Sequence, residues 1–216
     1  MKNILFTGIL ALFLAGNASA QSFGTMESSS RPTGTWSNLW GLSWEISIPT
    51  NNDFLTKTSF AGGKFEYRHF FPGKPLSLGV SVSWNSYEEY IPTQTITYDE
   101  GSRAITTDMD RVIYTVPIAA IGHYYFNYGK TAMPYVGLGI GTQYSEQDIY
   151  YNIFLDEETN WGFLVRPEVG VLIAPGQKNW GILAGASYSF ATNKNDAFQI
   201  DNLKNFSFNI GLFLAY

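Results

Sequence analysis

The stretch Asn-Phe-Ser-Phe-Asn-Ile-Gly-Leu-Phe-Leu-Ala-Tyr, residues 205–216, decides the fold. Successive side chains of a β-strand point to opposite faces, so residues of one parity share a face. In this stretch the odd-numbered residues are mostly small or polar. The even-numbered residues are all apolar: Phe206, Phe208, Ile210, Leu212, Leu214 and Tyr216. The pattern predicts the closing strand of a transmembrane β-barrel, which pairs back onto the first strand.

The same alternation recurs in seven earlier segments. In the first of them, Trp40, Leu42 and Trp44 alternate with small or polar residues, and a break rich in Pro and Asn follows. Tilted transmembrane strands need about 9–11 residues to cross a bilayer, and the segments are long enough. The eight predicted strands are residues 39–48, 61–71, 76–87, 112–126, 134–144, 161–174, 180–190 and 205–216.

The connections between these strands alternate in length. Short turns are predicted at residues 72–75, 127–133 and 175–179, and the other four connections are longer. In outer-membrane barrels the short turns face the periplasm and the long loops face outside. The chain is therefore predicted to form an all-β, eight-stranded antiparallel up-and-down transmembrane β-barrel, with both ends of the barrel domain on the periplasmic side.

The beginning of the chain is typical of an exported protein. Lys2 is followed by an apolar run too short to span a bilayer, and Ala18-Ser19-Ala20 suits signal-peptide cleavage. Residues 1–20 are thus predicted to be a cleaved signal peptide, and residues 21–35, rich in Ser, Thr and Gly, a flexible periplasmic lead-in. Residues 36–216 are predicted to form the barrel domain, located in the cell outer membrane.

The composition excludes several other classes of protein. Charged residues make up only 14% of the chain, and there is no cysteine for a disulfide framework or a thiolate metal site. A formal net charge of −5 argues against nucleic-acid binding. A soluble β-sandwich and a lipocalin-like barrel share the alternation, but their apolar faces point inward. Here the few charges lie among Gly and Ser, which suits a narrow polar interior and favours the membrane barrel.

Residues 134–141, Pro-Tyr-Val-Gly-Leu-Gly-Ile-Gly, and the aromatic terminus at Tyr216 carry a family resemblance. The chain resembles the small eight-stranded outer-membrane barrels of Gram-negative bacteria, of the OmpX, OmpW and OmpA-barrel kind, over about residues 36–216. The resemblance implies a monomer that contacts outer-membrane lipid and lipopolysaccharide and is assembled by the barrel-assembly machinery. The commoner family terminus is Phe, which Tyr replaces here. The closing-strand assembly signal would comprise Phe206, Phe208, Leu212, Leu214 and Tyr216.

Charged residues on the predicted inner face form the clearest candidate site. Unpaired charge is costly in a narrow lumen, so equal numbers of acids and bases predict a paired network. An eight-stranded barrel is just wide enough for side chains to fill it, which favours a polar plug over an ion-conducting or gated lumen. The network comprises three acids, Glu45, Glu66 and Glu168, and three bases, Lys64, Arg68 and Arg166.

The sequence disfavours catalysis. An enzyme in such a barrel would need His or paired carboxylates at the outer rim. His69 and His123 instead fall near predicted periplasmic strand ends; His69 has outward parity, and His123 is expected to be a hydrogen-bonded lumen or rim residue. We expect no enzymatic activity, cofactor or metal, and we interpret the acidic segment 145–160 as a solvated loop rather than a cation site. The alternatives are a narrow pore for small solutes or hydrophobic compounds and, less favoured, a lipid-modifying enzyme.

Aromatic residues fall near both ends of the predicted strands. Such residues form two belts at the membrane interfaces of outer-membrane barrels. The predicted periplasmic belt comprises Trp40, Phe71, Phe126, Trp180 and Tyr216, and the predicted outer belt comprises Tyr87, Tyr114, Tyr144, Trp161 and Phe190.

The longest predicted outer connection contains two alternating arms. Residues 94–98 and 103–107 are rich in Thr and Ile, and Gly101 between them suits a tight turn. We expect strands three and four to continue past the membrane as a protruding hairpin. Its open edges could accept a strand from an extracellular protein partner. The competing interpretation is a disordered loop without a partner.

Overall fold

The computed structural model describes residues 36–50, 54, 56–98, 103–151, 154–195, 198 and 200–216. The predicted signal peptide and the predicted lead-in lie outside the described residues. Within the part that is described, no helix is both long enough and apolar enough to cross a membrane.

Eight antiparallel strands form a closed ring in chain order. The first strand pairs with the last as well as with the second: Leu39 lies opposite Ala215, and Thr50 lies opposite Lys204. Closure by the last strand is therefore confirmed, as is the predicted fold class. The strands are β1 (Asn38–Thr50), β2 (Ser59–Phe70), β3 (Leu76–Tyr98), β4 (Arg103–Tyr125), β5 (Ala132–Tyr151), β6 (Phe154–Ile173), β7 (Trp180–Ala191) and β8 (Leu203–Ala215).

The barrel wall separates an apolar outer surface from a mostly polar interior. On β8, Leu212 and Leu214 are 62% and 65% exposed, whereas Ser207 on the opposite face is fully buried. Exposing apolar surface to water costs about 25 cal/mol per Å², so a face of this kind is stable only against lipid. The alternation seen in the sequence therefore corresponds to lipid outside and polar side chains inside.

Three short turns join the strands at one end of the barrel. They cover residues 71–75, 126–131 and 174–179, close to the predicted turns, and the last contains a single 3-10 turn, Pro175–Gln177. Each turn holds a glycine in the left-handed region, where a side chain would be strained: Gly73 (φ 68°), Gly129 (φ 82°) and Gly176 (φ 61°). We call this the short-turn end.

At the opposite end, the four central strands are longer than predicted. β3 and β4 have 23 residues each, and β5 and β6 have 20 each. Pairing continues to Tyr98 opposite Arg103 and to Tyr151 opposite Phe154. The predicted loop at residues 145–160 is therefore wrong, whereas the predicted β3–β4 hairpin is confirmed. An alternating apolar pattern is expected only where a strand faces lipid. Beyond the lipid, backbone hydrogen bonds can extend a strand without any such pattern in the sequence.

Two apolar clusters lie inside the barrel, one toward each end. Near the short-turn end, Trp36 packs edge-on against Phe213, with ring centroids 5.5 Å apart, in a cluster that also contains Phe70 and Met133. The other cluster contains Ile113 and Tyr87, whose side chain is only 6% exposed. The assignment of Tyr87 to the outer aromatic belt is therefore wrong, because its parity points it into the lumen.

Candidate functional site: charged lumen and outer hairpin

β2 supplies three charged side chains to the barrel interior. Lys64, Glu66 and Arg68 are spaced by two residues, so all three point inward, and each is almost completely buried. Their outward neighbours on the strand include Phe65 and Tyr67. One strand thus places two bases and one acid in a row along the lumen.

These side chains form an ion network with Glu168 of β6. Lys64 Nζ lies 3.0 Å from Glu66 Oε2 and 2.8 Å from Glu168 Oε2. Arg68 Nη2 lies 2.6 Å from Glu66 Oε1 and 3.7 Å from Glu168 Oε1. Two bases therefore face two carboxylates, so the formal charges cancel, as burial away from water demands.

Three further side chains, which the sequence did not assign to this network, contact it. His123 Nε2 donates a hydrogen bond to Glu168, so His123 is a hydrogen-bonded lumen residue, as expected. Arg68 donates from Nη1 to Tyr125 Oη (3.0 Å) and from Nη2 to Tyr135 Oη (3.1 Å). Their position inside the barrel could have been predicted from the sequence, because all three residues have the inward parity of their strands.

The other two predicted network residues form a separate, looser pair. Arg166 Nη1 lies 3.8 Å from Glu45 Oε2. Arg166 also donates to Ser83 Oγ and Ser189 Oγ, both at 2.8 Å, while Asn85 donates to Glu45 Oε1 at 2.9 Å. All six predicted residues thus face the lumen, but the structure divides them into a group of four and a pair.

Neutral polar side chains fill more of the lumen toward the long-strand end. Ser47 and Ser207 share a 2.6 Å hydrogen bond, and Asn193 donates to the backbone carbonyl of Gln143 at 3.0 Å. A cavity of about 20 Å³ remains beside Tyr87, room for little more than one water molecule. Charged, polar and apolar layers therefore follow one another along the barrel axis.

Outside the closed ring, β3 and β4 form a two-stranded hairpin. In the described part of the chain, β2 pairs with β3 only as far as Ser86, and β5 pairs with β4 only as far as Asp110. Residues 94–98 and 103–107 pair with one another, and Thr95 Oγ1 lies 2.8 Å from Thr106 Oγ1. Both outer edges of this ribbon lie beyond the neighbouring strands. We call residues 94–98 and 103–107 the outer hairpin.

The base of the outer hairpin is tied to the barrel. The pairing register shifts between Ile91 and Gln94, a bulge that includes Pro92. Glu89 accepts hydrogen bonds from the Thr56 backbone N–H (2.7 Å) and the Thr56 hydroxyl (3.0 Å). Bulges and prolines limit strand addition at an edge, so the open edges begin above this point.

Three acidic residues of β5 and β6 form a cluster near the long-strand end of the barrel. One carboxylate oxygen from each of Glu146, Asp148 and Glu157 lies within 4.8 Å of the others. Acidic side chains commonly group in this way at surfaces without an ion, so the cluster alone assigns no metal.

The proposed assembly residues of β8 face outward in the described barrel. Phe208, Leu212 and Leu214 are exposed, and Phe206 packs edge-on against Phe208 with ring centroids 4.8 Å apart. The terminal residue Tyr216 accepts hydrogen bonds at its carbonyl oxygen from the backbone N–H groups of Ser37 (2.8 Å) and Asn38 (3.0 Å). His69, also outward as expected, pairs with Asn38.

Several solved structures are similar to this chain. Neisserial surface protein A is similar over 83% of this chain and 97% of its own, with 14% identity and a TM-score of 0.56. Ail, the attachment invasion locus protein of Yersinia pestis, has 15% identity over 83% of this chain and 96% of its own, with a TM-score of 0.45. Outer membrane protein W of E. coli has 13% identity over 84% and 98%, with a TM-score of 0.42. At these identities the similarity concerns the fold alone.

No curated protein matches this chain in sequence. The family model described as "Outer membrane protein beta-barrel domain" matches residues 8–214, nearly the whole chain. The closed ring of eight strands and the lipid-facing wall agree with that match. This chain therefore belongs to the outer-membrane protein β-barrel family and is an outer-membrane protein.

Proposed function

We propose that this protein has a structural and surface-interaction role, with a plugged lumen and an outer hairpin that recognises an extracellular protein. The observation that carries the proposal is the outer hairpin itself, residues 94–98 and 103–107, which pair with each other beyond the reach of β2 and β5. Function at a bacterial surface requires groups outside the lipid, and an extension of two strands past the closed ring would supply them.

Strand addition is the recognition mode that this geometry favours. An isolated two-stranded hairpin is only marginally stable in water, whereas three strands with a packed face are stable. A partner strand that pairs with either open edge would satisfy backbone N–H and C=O groups now left to water. Each edge of the outer hairpin is five residues long, about 17 Å at roughly 3.4 Å per residue.

The filled lumen argues against the pore alternative. The ion network of Lys64, Glu66, Arg68 and Glu168 lies between two apolar clusters, and the residual cavity beside Tyr87 is small. An ion entering this path would have to separate buried ion pairs, which is costly. A lipid-modifying activity has no support either, because His123 lies in the lumen and His69 near the short-turn end.

Biogenesis is part of the same proposal. Export would use the cleaved signal peptide at residues 1–20, and the outward aromatic and aliphatic residues of β8 would guide insertion by the barrel-assembly machinery. The protein would act as a monomer, since its strands close the ring within one chain. It would contact outer-membrane lipid and lipopolysaccharide and would need no cofactor.

The test compares bacteria that produce the protein with bacteria that produce a shortened variant. In the variant, residues 92–108 are replaced by an Asn-Gly turn, which joins Ile91 to its partner Met109 in a tight hairpin. Attachment to cultured cell layers and to surfaces coated with extracellular-matrix protein is measured for both strains. We expect the shortened variant to lose attachment while its barrel still inserts.

A matched control keeps the backbone and changes only side chains. The variant T95A/T106A removes the two neighbouring hydroxyl groups but retains both strand edges. If strand addition is the mode of binding, this variant attaches like the original protein. Equal attachment by the shortened variant would show that the hairpin is not the binding element.

A further inference from the structure

Each turn at the short-turn end carries one lysine close to its left-handed glycine. All three lysines are exposed. Lys74 and Lys130 directly follow the glycine of their turn, and Lys178 follows Gly176 by two residues. The pairs are Gly73 with Lys74, Gly129 with Lys130, and Gly176 with Lys178. We call the three lysines the lysine rim.

Acidic residues of the described chain lie elsewhere. Three of them, Glu45, Glu66 and Glu168, belong to the lumen, where bases neutralise them. The others lie at the long-strand end of the barrel: Glu88, Glu89, Asp108, Asp110, Glu146, Asp148, Asp156, Glu157, Glu158 and Asp201. The described molecule is therefore polarised, with a basic short-turn end and an acidic opposite end.

Exposed aromatic side chains lie directly beside the lysine rim. Trp180 is 44% exposed and Phe126 is 48% exposed, and both adjoin a short turn. Lys178 Nζ lies 6.0 Å from the centroid of the Trp180 ring. Exposed aromatic side chains of this kind mark the membrane–water interface, so the adjoining lysines lie at headgroup depth rather than far out in the periplasm.

We propose that Lys74, Lys130 and Lys178 bind anionic phospholipid headgroups of the periplasmic leaflet. Short turns of outer-membrane barrels face the periplasm, so this rim meets phospholipid. An exposed lysine near an anionic membrane surface gains attraction that salt weakens. The lysines lie on three separate turns around the barrel, so each contacts its own lipid, and the three sites form an annulus rather than one pocket.

Electron spin resonance of spin-labelled lipids tests this proposal on the intact barrel in vesicles. The relative association of spin-labelled phosphatidylglycerol and phosphatidylcholine with the protein is measured at low salt. We expect a preference of about twofold to fivefold for phosphatidylglycerol in the original protein. The preference should decline as salt is added and disappear in K74Q/K130Q/K178Q.

The control variant K57Q/K194Q/K204Q removes three positive charges from the opposite end. It changes the net charge by the same amount, so we expect it to keep the lipid preference. Heat-dependent gel mobility checks that each variant is folded. If K74Q/K130Q/K178Q is not folded, the lipid preference is measured on the single variant K130Q, which should show a smaller preference than the original protein. An unchanged preference in K74Q/K130Q/K178Q, or an equal loss in the control variant, would overturn the proposal. So would a variant that keeps its lipid preference but no longer sediments with peptidoglycan, because the rim would then bind the cell wall.

Discussion

At the scale of single residues, Arg68 is the centre of the lumen. Its guanidinium group is fully buried and contacts two carboxylates, Glu66 and Glu168, as well as the hydroxyl groups of Tyr125 and Tyr135. A buried guanidinium is tolerated only when its charge and its donors find partners. Four strands supply partners for its two terminal nitrogens, so Arg68 links parts of the wall that are far apart in sequence.

Replacing Arg68 with Leu should destabilise the barrel by about 3–5 kcal/mol, because Glu66 and Glu168 would then share only Lys64. Urea unfolding in lipid or detergent, followed by tryptophan fluorescence, measures the loss. The double variant R68L/E66L should recover much of the stability, since Lys64 and Glu168 remain a neutral pair. An unchanged midpoint in R68L would mean that water already solvates the network.

Parity alone was sufficient to place all six charged residues inside. It did not reveal their grouping, because Lys64 meets Glu168 only through the curvature that brings β2 and β6 together across the lumen. The roles of Tyr125 and Tyr135, and the contact of His123 with Glu168, were missed for the same reason. Such cross-barrel contacts depend on the stagger of all the strands, which no local pattern encodes.

At the scale of strands, the eight elements fall into two length classes. β1, β2, β7 and β8 have 12 or 13 residues, close to what a tilted crossing requires, whereas β3 to β6 have 20 or 23. The alternating pattern predicted the membrane-crossing parts of the strands well. It missed the extensions of β5 and β6 within residues 145–160. There, Asp156, Glu157 and Glu158 follow one another on β6, so no face is apolar although the pairing persists.

Amide hydrogen exchange should detect the outer hairpin in the detergent-solubilised protein. In an antiparallel pair, alternate residues exchange backbone hydrogen bonds, so every second amide in residues 94–98 and 103–107 should be protected. We expect slow exchange within the set Ile96, Thr97, Ile105 and Thr106. Exchange at the rate of an unfolded peptide throughout this set would remove the hairpin and the proposal of strand addition with it.

The double variant F206D/F208D should fail to assemble. Both positions lie on the outward face of β8, where charge is unfavourable in lipid, and β8 is the strand that closes the ring. Heat-dependent gel mobility measures assembly.

L155D is the matched control for this change, because Leu155 is an exposed apolar residue on the extension of β6. We expect it to assemble normally. If F206D/F208D inserted as efficiently as L155D, the outer face of β8 would not be essential for closure.

At the scale of the whole molecule, side chains fill the barrel interior in successive layers. An apolar cluster around Trp36 lies at one end, the ion network lies in the lumen, and an apolar cluster around Tyr87 lies at the other end. The same molecule is electrically polarised, with lysines on the short turns and acids on the long strands. Its two ends are therefore suited to different surroundings.

Vesicles that contain the purified barrel should not swell in solutions of small sugars or amino acids. The reason is the ion network and the polar side chains that occupy the lumen. The cavity beside Tyr87, about 20 Å³, is too small for a solute. A general porin reconstituted in parallel provides the positive control. Rapid swelling with this protein would favour the pore alternative over the plug.

The seam between β1 and β8 has a consequence for folding kinetics. Trp40 and Tyr216 touch although 176 residues separate them along the chain. Contacts of such high sequence separation are slow to form, because the entropy of closing the loop must be overcome first. One edge of β1 therefore stays unpaired until the last strand of the chain has formed, so closure of the ring is expected to be a late step of folding.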